Sequence, residues 1–526
     1  MGGHLGLDNL ILIYDCNKIT VDGTIDNCFT EDIPLRFHAA GWHVIDLGAT
    51  DYTDAEGEIE TARLAFEQAK LTKGKPTIII FRTVIAYGSR KANTGPAHGQ
   101  ALGDEEVAYV KRAFGVDSEA KFVVPDAVYD SYSHVPEKGA QAQREWNDMV
   151  AKYASEYPEE HAELERRMTG RMPEGWKDKI PTKAQLPTAA QPTRKSSGIV
   201  MEALAPTTKD IVAGSADLLE STFVSWKGMS EFQKPSSGLG DYSGRQIRYG
   251  IREHSMAAIA NGLAAYFPNN SQGGGILPVF STFFMFTLYA APAIRMAALQ
   301  QLRTIAVATH DSIGIGEDGP THQPIALASF WRALPGLRLW RPADAEETMA
   351  AWMYAIEQES GPSVLCFSRQ PVALLEGSDR AGAFKGAYPV IDVDSPELVL
   401  VSTGSEVMRA VEVAAALPYK TRVVSMPCQE LFDRQPKEYR RSVFGNGKAL
   451  VVAIEAWGSF NWARYAHASC SMHSFGHSGP QADLFEKYGF GIENLKKVVA
   501  GFVEAKKGEI PGVGEFEELL LGYASH

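Results

Sequence analysis

Short, unbroken apolar runs recur along this chain of 526 residues, each closed by polar or turn-forming residues. Leu10-Ile11-Leu12-Ile13-Tyr14 is the first and Thr77-Ile78-Ile79-Ile80-Phe81 another; 211–214, 304–308, 363–367, 398–402 and 449–453 are similar, and 42–47 and 421–425, interrupted by His43, Asp46 and Arg422, are further strand candidates. Apolar runs without alternation are the pattern of strands covered on both faces, as in parallel sheets. Helical stretches at 62–73, 406–416 and 486–508 separate some of them, so the chain is expected to be α/β throughout. The first run starts after only nine residues, although a buried parallel strand needs neighbours on both sides. The opening half of the first domain is therefore expected to be incomplete.

A chain of this length divides into two to four domains. Residues 1–150 read as one α/β domain and 151–193 as a connector. The connector is charged, then rich in Pro and Ala, with Pro181, Pro187 and Pro192 and little periodicity. Two further α/β domains follow at 194–375 and 386–526. The formal net charge of −13 argues against nonspecific nucleic-acid binding. Cys16, Cys28, Cys366, Cys428 and Cys470 show neither metal-site spacing nor a disulfide framework, which suits a reducing, cytoplasmic setting. No apolar run reaches the ~18 residues of a membrane span. The first residues lack a basic signal-peptide start, and the last four, 523–526, are not a clear peroxisomal address.

Chemistry concentrates in three segments. Tyr249-Gly250-Ile251-Arg252-Glu253-His254 sets a carboxylate between a guanidinium and an imidazole. Alone, Glu253 reads equally well as half of a surface ion pair with Arg252 or as a carboxylate at a helix N-terminus. Phe283, Phe286 and Tyr289 follow at steps of three, one face of a helix if 282–297 is helical. By spacing alone such a stripe reads as core. Pro278 and Pro292 bracket it and limit a helix. The third segment runs from His310 to His322, with Gly314, Gly316 and Gly319 allowing close backbone approach to a ligand. Its imidazoles can donate hydrogen bonds and move protons near neutral pH.

These segments, in this order, resemble the transketolase family, which includes dihydroxyacetone synthase. The resemblance runs from Gly3 to about Phe502 and is strongest at 3–23, 240–254 and 310–324. It implies a three-domain, thiamin diphosphate-dependent α/β fold with a truncated first domain. Residues 1–150 would be the remainder of the diphosphate-binding domain, 194–375 the pyrimidine-binding domain and 386–526 the C-terminal domain. It implies Glu253 as the carboxylate sharing a proton with an aminopyrimidine nitrogen, and Phe283, Phe286 and Tyr289 as the wall holding that ring. Asn17 and the Ile19 carbonyl would bind Mg2+ or Ca2+ with the diphosphate, and Ile85 and Asp217 would contact the cofactor. His98 and His322 would act in catalysis at the substrate, and Asp318 on a ketose hydroxyl. Arg194, Ser221, His310 and Arg369 would grip a sugar phosphate, and the active form would be a homodimer.

The family's upstream Gly-Asp-Gly aspartate, the glutamate following it and further histidines have no counterpart here. The chain is thus expected to lack the N-terminal part of the first domain, as an incomplete gene model; a separate upstream chain or a degenerate, catalytically weak paralogue are the alternatives. The expected reaction is transfer of a two-carbon ketol unit from a ketose phosphate to an aldose phosphate. Formaldehyde as acceptor is the alternative, because 282–296 looks closer to dihydroxyacetone synthase, while 317–319 and 368–370 look closer to transketolase. A lipoyl-linked dehydrogenase lacks a legible carrier interface. A regulatory or scaffolding paralogue would keep the fold without turnover.

Overall fold

The computed structural model describes residues 1–266, 275–358 and 360–522; the 523–526 tail read above for a peroxisomal address lies outside them. The chain forms two compact units, Met1–Glu156 with Gln233–Tyr242, and Tyr157–Phe232 with Ser243–His526.

The first unit is built on a parallel sheet of β1 (Ile11–Asp15), β2 (His43–Ala49) and β3 (Thr77–Arg82), in the order β1-β3-β2. The central strand has a neighbour on each side, and Thr77 to Ile80 are fully buried. Among the described residues the first strand pairs on one edge only, and Leu12 and Ile13 remain 40% and 54% exposed. The 17-residue α1 (Ala55–Leu71) starts at Asp54, whose carboxylate accepts the Gly57 N–H at 3.0 Å. The Gln233–Tyr242 segment belongs to this unit through Tyr242, whose hydroxyl donates to the carbonyls of Leu5 and Gly6, and Gln233, bonded to His4.

The first part of the 151–193 span read as an aperiodic connector is helical. The 22-residue α2 (Val135–Glu156) runs into it and a helix Pro158–Met168 follows, with Pro158 in the first turn. Their surfaces are mostly exposed and polar, tied by pairs such as Gln141–Glu145 and Glu163 with Arg166 and Arg167. Helix-forming side chains and these pairs support them with little buried surface.

The second unit carries two six-stranded sheets. In the first, β4 (Ile211–Ser215), β5 (Gln246–Arg248), β6 (Leu277–Phe283), β7 (Ile305–Thr309), β8 (Arg338–Trp340) and β9 (Ser363–Phe367) run parallel in the order β8-β9-β7-β6-β4-β5. It is flanked by α3 (Thr193–Leu204), α4 (Glu253–Ala264), α5 (Ala291–Leu299) and α6 (Ala345–Glu357). In the second, β10 (Tyr388–Ile391), β11 (Leu398–Ser402), β12 (Thr421–Ser425), β13 (Leu450–Ile454), β14 (Ala468–Cys470) and β15 (Glu517–Glu518) follow the order β10-β12-β11-β13-β14-β15. All are parallel except β10, antiparallel at the edge. Helices α7 (Glu406–Ala416) and α8 (Ile492–Lys506) pack together over it. One apolar core runs through both sheets, from Ile211 and Val307 to Leu400 and Val452.

The 282–297 stretch is not one helix. β6 extends to Phe283, a 3-10 segment covers Phe284–Leu288, and only Ala291–Leu299 is α-helical. Pro278 lies inside β6, where the ladder to β7 begins at the next residue, Val279, so its missing N–H leaves no gap on that side. Pro292 sits in the first turn of α5, where no intrahelical donor is needed.

The two sheets of the second unit are joined by buried charge. Arg341 Nε donates to Asp311 at 2.9 Å, and its Nη1 to Glu406 at 2.5 Å and to the Thr403 hydroxyl at 3.0 Å. Arg332 grips Glu455 through two bonds of 3.0 and 2.7 Å. Removing Arg341 would leave buried carboxylates without their cation, so Arg341→Met is expected to destabilise the fold by about 3–5 kcal/mol. Thermal unfolding followed by circular dichroism measures this, and an unchanged midpoint would show the network contributes no stability.

Candidate functional site

In the first unit, β1 ends in a turn built by Asn17. Its side-chain oxygen accepts the Ile19 N–H at 3.0 Å, and Lys18 adopts a left-handed φ of 59°. Ile19–Thr20 then pairs with Gly23–Thr24 in a small hairpin. His98, on the one-turn helix Gly95–Gly99 that packs against this hairpin, is exposed. Ile85 is half-buried, and its carbonyl accepts from Asn93 at 3.2 Å. Asn17 and the Ile19 carbonyl are neutral oxygens of the kind a hard cation accepts. They are two donors of the six or more such an ion takes, and among the described residues no group of three His, Cys, Asp or Glu could hold a metal.

In the second unit, Glu253 is the first residue of α4, buried at 9% exposure. The preceding turn favours Gly250, whose φ of 65° lies in the left-handed region that glycine adopts without strain. The Arg252 guanidinium donates to the Tyr249 carbonyl at 2.9 Å. Among the described residues no ion pair joins Arg252 and Glu253, so the surface-pair reading fails, whereas the helix N-terminal position is real. α4 packs against β6, the strand that delivers Phe283. Asp217 is exposed just beyond β4, with a φ of 65°.

The aromatics and the histidine loop come together although no helix carries them. Phe283 and Phe286 stack at 5.7 Å between ring centroids, and Phe286 lies 5.9 Å from Tyr289. The His310 ring sits 3.7 Å from Phe283, and His322 lies 5.0 Å from Phe286. Tyr289 is 64% exposed, so this wall has an open end. Its rings and the buried carboxylate suit a flat heteroaromatic ring such as an aminopyrimidine.

The four grip residues converge as well. The start of α3 is tied to the end of β9: Thr193 N–H donates to the Ser368 hydroxyl at 3.0 Å and Ser368 N–H to the Thr193 hydroxyl at 2.7 Å. This brings Arg194 and Arg369 close enough to repel. Arg194 Nη1 donates to the Ser221 carbonyl at 2.9 Å, and its Nε is buried without an acceptor. Burial, then the charge of Arg369, lowers the Arg194 pKa from its ordinary value. Arg369 Nη1 lies 2.9 Å from where a Cβ on Gly316 would be, so the guanidinium rests against that glycine's backbone. Burial first, and then Arg194 and Arg369, push the His310 imidazole down to about 3. Its 4.0 Å approach to Asp318 is therefore a contact of a neutral ring, not an ion pair. Two like charges and a neutral donor around one spot make a receptor for an anion with several oxygens.

The sequence reading missed the residues that orient this loop. Thr309 and Thr321 each bond the Nδ1 of the histidine that follows, at 2.8 Å. The repeated Thr-His step is the one signal that could have shown it. Arg341 gave no signal, because Asp311, Glu406 and Glu455 are distant in sequence.

Three family models match in succession: "Transketolase, thiamine diphosphate binding domain" at 1–173, "Transketolase, pyrimidine binding domain" at 189–373 and "Transketolase-like TK C-terminal domain" at 386–491. A probable transketolase of Schizosaccharomyces pombe is 43% identical over 97% of this chain and 73% of its own length. A dihydroxyacetone synthase of Candida boidinii is 42% identical over 98% of this chain and 73% of its own. The crystal structure of Pichia stipitis transketolase in complex with sedoheptulose-7-phosphate, 39% identical, superposes with a TM-score of 0.91 over 97% of this chain and 74% of that one. The chain belongs to the transketolase family. It is a thiamin diphosphate-dependent transferase of two-carbon units.

The His310 environment sets a pH expectation. The unfolded chain takes up a proton at this histidine as pH falls below 6.5, whereas the folded chain does not until about 3, so stability falls with decreasing pH across that window. NMR titration should show His310 neutral from pH 8 to 5 in the free protein. A midpoint near 6.5 would mean that neither burial nor the two arginines shift it.

Proposed function

We propose that the chain moves a two-carbon ketol unit from a ketose phosphate to an aldose phosphate. The supporting observation is the pairing of Arg194 and Arg369, neither of which forms an ion pair among the described residues, beside a neutral His310, an arrangement that suits a sugar phosphate. The sedoheptulose-7-phosphate held by the Pichia stipitis enzyme fits the same reading. Thiamin diphosphate, when bound, supplies the electron sink for breaking the C2–C3 bond of the ketose and forming a new bond to the acceptor aldehyde.

The chain's own residues take the following parts. Phe283, Phe286 and Tyr289 hold the pyrimidine ring and keep water from its face. Glu253, buried at the start of α4, shares a proton with a ring nitrogen. Asn17 and the Ile19 carbonyl contribute two oxygens to Mg2+ or Ca2+, and Ile85 and Asp217 contact the cofactor. His322 and His98 donate to the substrate carbonyl and hydroxyl oxygens and move protons there, and Asp318 accepts from a hydroxyl. Arg194, Arg369, Ser221 and His310 bind the phosphate end. The working form is a homodimer in which the pyrimidine-binding part of one subunit serves the diphosphate-binding part of the other, in reciprocal pairs. Its setting is the cytoplasm.

Residues 1–150 are, on this reading, the C-terminal remainder of the family's first domain. The one-sided pairing of β1 and its exposed Leu12 and Ile13 support this, as does the 73% share of the relatives that the chain spans. On that reading the 526-residue chain should transfer ketol units slowly, and a version extended upstream with a relative's segment should be fast. Equal steady-state rates for the two, with Mg2+ and thiamin diphosphate, would refute this.

Three outcomes test the reaction, each in the extended version. Glu253→Ala should reduce turnover by about 100-fold or more while circular dichroism stays unchanged; full turnover would remove Glu253 from the mechanism. With xylulose 5-phosphate as donor, ribose 5-phosphate should exceed formaldehyde in kcat/KM, because only the sugar phosphate engages the arginines after the first product leaves. A preference for formaldehyde would instead assign the dihydroxyacetone synthase reaction, which the nearly equal identities to both kinds of relative leave open. Arg369→Ala should lower kcat/KM for ribose 5-phosphate about ten- to hundredfold, the equivalent of one or two charge-assisted bonds. At saturating donor it should leave the formaldehyde reaction little changed.

A further inference from the structure

In the second sheet of the larger unit, a cavity of about 400 Å3 opens at the amino end of β13, beside Ala449 and Val451. Ligands of open α/β sheets ordinarily bind at the carboxyl ends of the strands, so this cavity differs from the usual place. Its charge is equally unusual for a chain carrying −13 overall. Lys437, Arg440 and Arg441 line it from one seven-residue helix, Lys437–Val443, at spacings of three and four that put them on the same side. Like charges at that spacing repel. The helix dipole favours Arg440 and Arg441 in the last turn but opposes Lys437 at the first position. Among the described residues none of the three forms an ion pair, and Arg440 Nε is buried without an acceptor. A fourth cation, Arg464, is neutralised by Asp433 at 2.7 Å.

The rest of the lining is apolar and aromatic. Phe444 packs edge-on against the buried Phe432 at 5.4 Å, and Tyr465 packs on Phe432 at 6.2 Å while donating its hydroxyl to Asp433 at 3.0 Å. His467 also lines the cavity; its Nδ1 accepts the Val451 N–H at 2.9 Å, so the neutral ring carries its proton on Nε2. Unpaired guanidinium and ammonium groups at one side of a concave aromatic surface match a ligand with a doubly charged head and a flat body.

We propose that this cavity binds a small organic phosphate with a flat aromatic body, of the nucleoside monophosphate class, at a site separate in sequence and residues from the Arg194–Arg369 grip. Lys437, Arg440 and Arg441 hold the phosphate, and the surface around Phe444 and Tyr465 holds the ring.

Isothermal titration calorimetry of the full chain at low salt tests it, with AMP, inorganic phosphate and adenosine as separate probes. AMP should bind at least about tenfold more tightly than either fragment. Arg440→Gln with Arg441→Gln should weaken AMP by about tenfold or more, and Phe444→Ala should weaken AMP but not inorganic phosphate. Arg194→Ala should leave AMP binding unchanged, which separates this site from the sugar-phosphate grip. Circular dichroism checks that each variant folds, and the exposed Arg441→Gln alone, which cannot disturb the core, should still weaken AMP measurably. No heat from AMP up to millimolar concentration would overturn the proposal. So would equal AMP affinity in the double variant, or loss of AMP binding in Arg194→Ala. Inorganic phosphate binding as tightly as AMP would overturn the aromatic part of the site.

Discussion

The architecture of the larger unit turns on one buried cation. Arg341 follows β8 of the first sheet, yet its partners Glu406 and Thr403 belong to the second. Asp311, its third partner, is the residue after His310. Trp457 completes the enclosure: its ring lies 4.0 Å under the Arg341 guanidinium, and its indole N–H donates to the Asp311 carbonyl. Burial pushes the Asp311 carboxyl up against the pull of Arg341. Burial would raise Glu455 too, but Arg332 pulls it below its ordinary value. Such a network gains little net stability over a well-packed apolar core, because desolvation offsets most of the attraction. What it does confer is register: its bonds tie the two sheets together at one place, and the loop that begins at His310 leaves from a fixed point.

That fixed point explains how a residue can sit where an isolated chain would resist. His310 has a φ of 64°, a left-handed conformation that is uncommon for a side chain of its type. Asp311 on one side and the Thr309 hydroxyl on the other hold it. This conformation places the imidazole beside Phe283, 3.7 Å between ring centroids and tilted by 32°, in a buried position and within the field of two arginines; burial first, then those charges, keep it neutral. A neutral imidazole can donate to a phosphate without adding a third positive charge to a crowded site.

Strands were the most legible part of the sequence, because burial on both faces leaves an uninterrupted apolar run. Predicted runs at 211–214, 304–308, 363–367, 398–402 and 449–453 lie within a residue of β4, β7, β9, β11 and β13. The helix α2 went unread although Trp146, Met149, Val150 and Tyr153 recur at helical spacing, because charged and polar residues fill the rest of its surface and obscure that short stripe. Phe283, Phe286 and Tyr289 were read as one helical face and are instead the end of a strand, a 3-10 turn and the residue after it. The spacing was right for the wrong reason: a 3-10 turn also returns to the same side every three residues. The chemistry of the site was therefore legible through its residue types and the family resemblance, while its geometry was not. The cations of the 437–441 helix went unread, because a charge run on a short helix looks like a solvated surface until the cavity behind it is seen.

The fold and the site are linked by where the strands stop. Phe283 closes β6, His310 follows β7 and Arg369 lies two residues past β9, on three adjacent parallel strands whose carboxyl ends are in register through Phe283, Thr309 and Phe367. Parallel pairing thus aligns an aromatic wall, a neutral donor and a guanidinium without any contact among their own backbones being required. Arg194 joins them from α3 because Thr193 is stapled to Ser368 at the same end. Shifting β9 by one residue would turn Phe367 and Ser368 to the opposite faces and carry Arg369 away from Arg194. The uninterrupted apolar runs alone would tolerate such a slip, since each is buried on both faces. The Thr193–Ser368 bonds and the bond from Gln370 Nε2 to the Ser312 hydroxyl oppose it, so the polar groups buried at the strand ends, more than the apolar strands themselves, determine where the anion-binding residues stand.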